Sequence, residues 1–268
     1  MSKFYVSCIQ TNSTSDPIIN IKKTLFLIKK AMTKKTDLIC LPECVGILTD
    51  NKKKLDIFFS RKKNIFLDFV IESAKRFNVH IIIGSLPEKK RNGKYLNRSY
   101  LVDNKGFIKT SYDKINLFDV KLSNVESYLE SSIYDPGNRI KLGSLPWGKV
   151  GMSICYDIRF PMLYKKLAEK GALYLSIPAA FTETTGRDHW HSLIRTRAIE
   201  NGCFVFAPAQ CGTHDNGRRT FGHSLIVDPW GRILAEGKNK PAVVYAEIDF
   251  SQIKKIRDKI PSMTFYGT

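Results

Sequence analysis

Three side chains of complementary reactivity lie just beyond apolar runs. Glu43 follows Asp37-Leu-Ile-Cys-Leu-Pro42, Lys114 follows the run from Phe107 to Tyr112, and Cys155 follows Val150 to Ile154. A carboxylate, an ammonium and a thiol are together sufficient for acyl transfer. The carboxylate takes the thiol proton, the sulfur attacks a carbonyl carbon, and the ammonium stabilises the tetrahedral oxyanion. Each has a bland reading: a Glu after a strand is normally surface, a loop Lys is usually solvated, and most free cysteines are small buried hydrophobes. Their shared placement past strand ends, where open α/β sheets bind ligands, makes the combination informative. If the three strands are neighbours, the three groups converge.

The elements that must position them can be read in order. Phe4 to Ile9 reads as a first strand. Asp16-Pro17 opens a helix with Ile21, Leu25 and Ile28 on one face. A second helix spans about 65–77, followed by a buried strand from Val79 to Gly84. Arg91-Asn-Gly-Lys94 reads as a hairpin turn into Tyr95 to Val102, with Phe107 to Tyr112 returning. The stretch from Ile115 to Asn138 has poor periodicity, as expected of a segment that covers or builds a site, and it carries Glu130. Pro161 opens a helix that ends at Gly171, so Cys155 is expected at a strand-to-helix handover where the helix N-terminus favours thiolate. Strands follow at Ala172–Ile177, Cys203–Pro208, Ser224–Asp228, Arg232–Ala235 and Ala242–Ile248. Helices are expected at about 187–201 and 250–259. The pattern comes round twice, which predicts an α/β fold of α-β-β-α sandwich type, one domain over residues 1–268.

Composition sets the outer bounds. The 268 residues are 43% hydrophobic and 11% aromatic, with no stretch near the ~20 apolar residues of a membrane span. Six cysteines without a disulfide-type spacing fit reduced thiols in the cytoplasm. The formal charge of +18 raises nucleic acid as a partner, but the basic residues come as pairs such as Lys22-Lys23 and Lys29-Lys30 on polar helix faces. No specific nucleic-acid or membrane partner is expected. Among the histidines, His189 and His191 face different sides of a helix, and His80 lies in a buried strand, so an imidazole base for Cys155 is disfavoured. Cys211-Gly-Thr-His214 has no second pair to complete a zinc site, so no metal is expected.

Leu41-Pro-Glu43, Tyr112-Asp-Lys-Ile-Asn-Leu-Phe-Asp119, Glu130 with Pro136-Gly137, and Gly151 through Pro161 together resemble the nitrilase (carbon–nitrogen hydrolase) superfamily over nearly the whole chain. That resemblance implies a Glu43–Lys114–Cys155 triad with Glu130 as a second glutamate, an α-β-β-α sandwich, a homodimer and no cofactor. Ala179 to Gly186, Ala209-Gln-Cys-Gly212 and Phe221-Gly-His-Ser224 resemble the deaminated-glutathione amidases; ω-amidases share much of this, and carbamoylases and true nitrilases share the triad. A small-molecule amide is therefore the expected substrate. Its expected contacts are the Tyr156 N–H as oxyanion donor, Arg159 as a forked carboxylate partner, Phe181, and Thr182 to Thr185, Thr185 above all, lining a polar pocket mouth. Two departures stand out: Asn116 replaces a histidine usual in those enzymes, and the C-terminus from Pro261 to Thr268 lacks their basic tail.

Overall fold

The structure is a computed structural model, which describes residues 2–60 and 63–262. The chain opens with β1 (Lys3–Gln10), α1 (Pro17–Met32), β2 (Leu38–Cys40) and α2 (Lys52–Phe58). A short ribbon, β3 (Phe59–Ser60) with β4 (Lys63–Asn64), precedes α3 (Ile65–Phe77). Then come β5 (His80–Lys89), β6 (Tyr95–Val102) and β7 (Ile108–Asp113). The aperiodic segment folds as a small hairpin, β8 (Asp119–Lys121) and β9 (Ser127–Leu129), and a 3-10 turn, Glu130–Ser132.

The second half begins with β10 (Leu142–Leu145), β11 (Gly148–Met152) and a 3-10 turn at Cys155–Arg159. It continues through α4 (Pro161–Glu169), β12 (Ala172–Ser176), α5 (Glu183–Asn201) and β13 (Phe204–Ala207). A second small hairpin, β14 (Cys211–Thr213) and β15 (Arg219–Phe221), leads to β16 (Leu225–Val227) and β17 (Ile233–Glu236). The last elements are β18 (Ala242–Asp249) and α6 (Ser251–Lys259).

Two six-stranded sheets result, ordered β18-β1-β2-β5-β6-β7 and β10-β11-β12-β13-β16-β17. Each has the same sequence of pairings: one antiparallel, two parallel, then two antiparallel. The repeat in the sequence is thus a repeat in topology, except that β18 returns from the chain's end to fill the place that β10 fills.

Strand alternation builds the layers. In the first sheet Val6, Cys8, Leu38, Cys40 and Ile82 point into one core, shared with Val150, Met152 and Tyr174 of the second sheet. Ile9, Ile39, Ile81 and Ile83 point the other way, onto Leu27 and Ile28 of α1 and Phe66 and Val70 of α3. Phe4 joins the sheets directly, stacking on Trp147 at 4.2 Å and meeting Tyr174 edge-on. Each such fully buried side chain contributes about 1.5–3 kcal/mol relative to exposure.

The helices begin where their caps dictate. Asp16 Oδ1 accepts from Ile18 N at 2.8 Å ahead of Pro17, and Asn64 caps α3 through Leu67 N at 3.1 Å. The α5 helix starts four residues earlier than its apolar pattern predicts, because Thr182 caps it through Thr185 N. Gly186 in its first turn lies so close to Phe221 that a Cβ there would stand 2.4 Å from the Phe221 Cβ. Lys22, Lys23, Lys29 and Lys30 sit on the exposed face of α1, as solvated helix faces require. No helix among the described residues is long and apolar enough to cross a membrane.

Candidate active site

Glu43 lies three residues past β2, Lys114 directly after β7, and Cys155 three residues past β11. These strands are not neighbours. β2 and β7 are separated by two strands in one sheet, and β11 belongs to the other. The groups converge because the sheets are stacked face to face, so the crevice lies between layers rather than along one sheet edge.

Glu43 is 3% exposed and fully engaged. Its Oε1 accepts from Lys114 Nζ at 2.8 Å and Asn97 Nδ2 at 3.1 Å, and its Oε2 accepts from Ala180 N at 2.8 Å. Lys114 Nζ also donates to Glu130 Oε2 at 2.8 Å, and Phe118 N and Asn97 Nδ2 hold the two Glu130 oxygens in place. The backbone of Lys114 is pinned by Asn97 O and by the Gly137 N–H. A Cβ on Gly137 would stand 2.2 Å from Asp113 O, so the Pro-Gly turn is what lets the Glu130 segment approach.

Cys155 opens its 3-10 turn in the left-handed region, φ 49°, with its N–H on Pro178 O at 2.8 Å. A non-glycine residue held there is strained, a feature that clusters at functional sites. The Tyr156 N–H follows at the start of the turn, where the first N–H groups lack an intrahelical acceptor.

The charges in the cluster determine its resting state. Burial alone would raise the Glu43 carboxyl, but the Lys114 ammonium, then Arg218, then the Cys155 thiol hold it below the ordinary range. Burial also works against the Lys114 charge, yet Glu130 and Glu43 outweigh it and push the ammonium well up. Burial and then the Glu43 charge push the Cys155 thiol well above its usual value. The expectation of a thiolate favoured by a helix N-terminus is therefore corrected: the thiol is neutral at rest, beside an ionised carboxylate.

The cleft above these groups has a volume of ≈ 430 Å³ and is walled by Phe118, Val125 to Glu130, Ser132, Cys44 and Arg218. The aperiodic 115–138 segment thus forms one side of it. Tyr156, Phe181 and Thr185 line a small adjoining recess with Cys155 and Arg218. Thr182 lines the same recess, buried as the α5 cap. Arg159 lies outside both: its guanidinium stacks over Phe181 at 5.3 Å and approaches His189 Nδ1 at 3.3 Å.

Beside Lys114, a second cation faces the cleft: Arg218, which sequence reasoning missed. It donates to Ala180 O at 2.6 Å and lies over the Tyr128 ring at 5.1 Å, while its buried Nε has no partner. The Asn216-Gly217 turn signal ahead of it would have indicated the hairpin, though not that its tip reaches the site.

Asn116 proves to be a connector. Its N and Nδ2 both donate to Asp157 Oδ1, at 3.0 and 2.8 Å. The other Asp157 oxygen takes Tyr112 Oη and Ile154 N. This buried carboxylate ties the Lys114 segment to the turn carrying Cys155. His214 is bonded to Ser13 O and Thr220 Oγ1, and so has no role as a base for Cys155. Residues 263–268, most of the atypical tail, lie outside the described residues.

The chain is similar to known proteins over nearly its whole length. The family model described as carbon-nitrogen hydrolase matches residues 5–258. A deaminated glutathione amidase of Synechocystis is 37% identical over 271 residues, covering 98% of each chain. An omega-amidase of Saccharomyces cerevisiae is 32% identical, covering 97% of this chain and 91% of that one. The crystal structure of the Caenorhabditis elegans NitFhit protein superposes with a TM-score of 0.91 at 33% identity, over 97% of this chain and 64% of that longer one.

Proposed function

The chain belongs to the carbon–nitrogen hydrolase family, and from that premise we propose that it hydrolyses a small, carboxylate-bearing amide through a thioester on Cys155. The observation that carries this reading is the convergence of Glu43 on both Lys114 and the Cys155 thiol in one buried cluster. Glu43 takes the thiol proton as sulfur attacks the amide carbon. Lys114 and the Tyr156 N–H hold the oxyanion. Glu43 then returns the proton to the departing nitrogen, which leaves as ammonia from a primary amide or as an amine from a substituted one. The same carboxylate deprotonates a water that cleaves the thioester, restoring the thiol and releasing the acid. Glu130 orients Lys114 throughout.

A cation in the cleft calls for an anionic substrate. Arg218, with a free buried Nε, can bind a carboxylate in its forked geometry. Arg159 then acts behind Phe181 rather than on the substrate. The similarity to deaminated glutathione amidases makes an α-keto amide with a peptide tail the first choice, and α-ketoglutaramate is the second. We place the enzyme in the cytoplasm as a homodimer.

A panel of deaminated glutathione, α-ketoglutaramate, carbamoyl amino acids and nitriles, assayed by chromatography of the acid product, tests the reading. The highest kcat/KM is expected for deaminated glutathione. Preference for α-ketoglutaramate would make the enzyme an ω-amidase, and turnover of carbamoyl compounds alone would overturn the amidase assignment.

A further inference from the structure

Away from the cleft, three residues distant in sequence meet on the surface. His191 comes from the third turn of α5, His223 from the turn between β15 and β16, and Glu236 from the end of β17. His191 Nε2 lies 2.9 Å and His223 Nδ1 2.7 Å from Glu236 Oε1, and the three donor atoms all lie within 4.8 Å of one another. None of the three lines the cleft around Cys155.

The frame that presents them is rigid. His223 N donates to Lys238 O, Trp190 Nε1 donates to His223 O at 2.7 Å, and the ring stacks on Phe221 at 4.3 Å. His223 itself is held at φ 52°, a conformation that aims its ring at Glu236 rather than along the strand. The His191 ring packs edge-on against both Phe221 and His223. Two imidazoles and a carboxylate on separate, fixed elements make a three-donor set of the kind that binds Zn²⁺ with an open coordination position.

From this geometry we propose that His191, His223 and Glu236 form a binding site for one divalent transition-metal ion, of the zinc, cobalt or nickel class. The ion replaces the hydrogen bonds between the imidazoles and Glu236, each ring binding through the nitrogen that faces the carboxylate and keeping its proton on the other nitrogen, and the oxygen moves back slightly to reach metal–ligand distances of about 2.0–2.2 Å. The remaining positions face a surface hollow of ≈ 430 Å³ bounded by Gly237, Lys238 and Asn239. Those positions are open to water or a small anion, the latter favoured by Lys238.

Titration of the full chain with Zn²⁺ by calorimetry, and with Co²⁺ by visible absorption, tests the site. One ion per chain is expected. His191→Asn and His223→Asn, the second chosen because Asn tolerates the left-handed backbone, should each weaken binding more than about tenfold, and the double variant should lose it. Glu236→Gln, which keeps the side chain's shape, serves if an imidazole variant misfolds, and should weaken binding similarly. Binding that persists unchanged in these variants belongs to another site, such as the Cys155 and Cys44 thiols, and overturns the proposal. A folded wild-type chain that takes up no ion overturns it equally.

Discussion

Lys114 is the residue on which the site's electrostatics turn. An ammonium 2% exposed survives only because Glu43 and Glu130 flank it, and removing one member of such a buried set leaves an uncompensated charge. Lys114→Met should therefore lower kcat by about 10²–10³, the loss typical of an oxyanion donor, with KM little changed. Raised KM at normal kcat would make it a substrate-binding residue instead. Arg218→Lys should weaken binding of carboxylate-bearing amides, read as raised KM, while leaving neutral amides unaffected. Equal effects on both classes would remove Arg218 from substrate recognition. The placement of Glu43, Lys114 and Cys155 just past strand ends was legible because each follows an apolar run. Arg218 was not, since its position depends on a hairpin packing across Ala180, and a one-dimensional pattern carries no such long-range contact.

At the scale of elements, close packing of β5 against the end of β2 within the first sheet is what holds Glu43 in register. Gly84 in β5 lies against the end of β2, where an added Cβ would meet Leu41 O and Pro42 C at 2.2 and 2.3 Å. Gly84→Ala should push the Glu43 segment away, destabilising the fold by about 1–3 kcal/mol and lowering kcat more than the stability loss explains. Thermal melts with matched kinetics check this, and an unchanged kcat would contradict it. The strand and helix pattern in the sequence was largely readable from periodicity, Ile65–Phe77 and Tyr95–Val102 to the residue. β10, α2 and the strands β14 and β15 were not, because three- to seven-residue elements bury too few side chains to set a period. The sandwich of two sheets explains why three strand ends that are not neighbours nevertheless meet.

For the molecule as a whole, the buried cluster couples activity to pH. Glu43 is depressed, so its contribution to stability is present above the unfolded carboxylate value and lost as pH falls through the folded one. Lys114 is raised, so its contribution is complete below the unfolded ammonium value and lost only as pH rises through the folded one. Both hold across neutrality. The rate should accordingly be flat between about pH 6 and 9, with no rise from thiol ionisation, and should fall only in acid as Glu43 protonates. A sigmoid rise through the ordinary thiol range would show that thiolate forms before substrate binds. Light scattering should find a homodimer, and an active monomer at micromolar concentration would contradict that part of the reading.

The most direct measurement is intact-protein and peptide mass spectrometry of the enzyme quenched during turnover of a slow amide. The account predicts an acyl mass increment on the peptide carrying Cys155, absent in Cys155→Ala, which folds but does not turn over. An adduct on Cys44 or another cysteine, or full activity in Cys155→Ala, would contradict it.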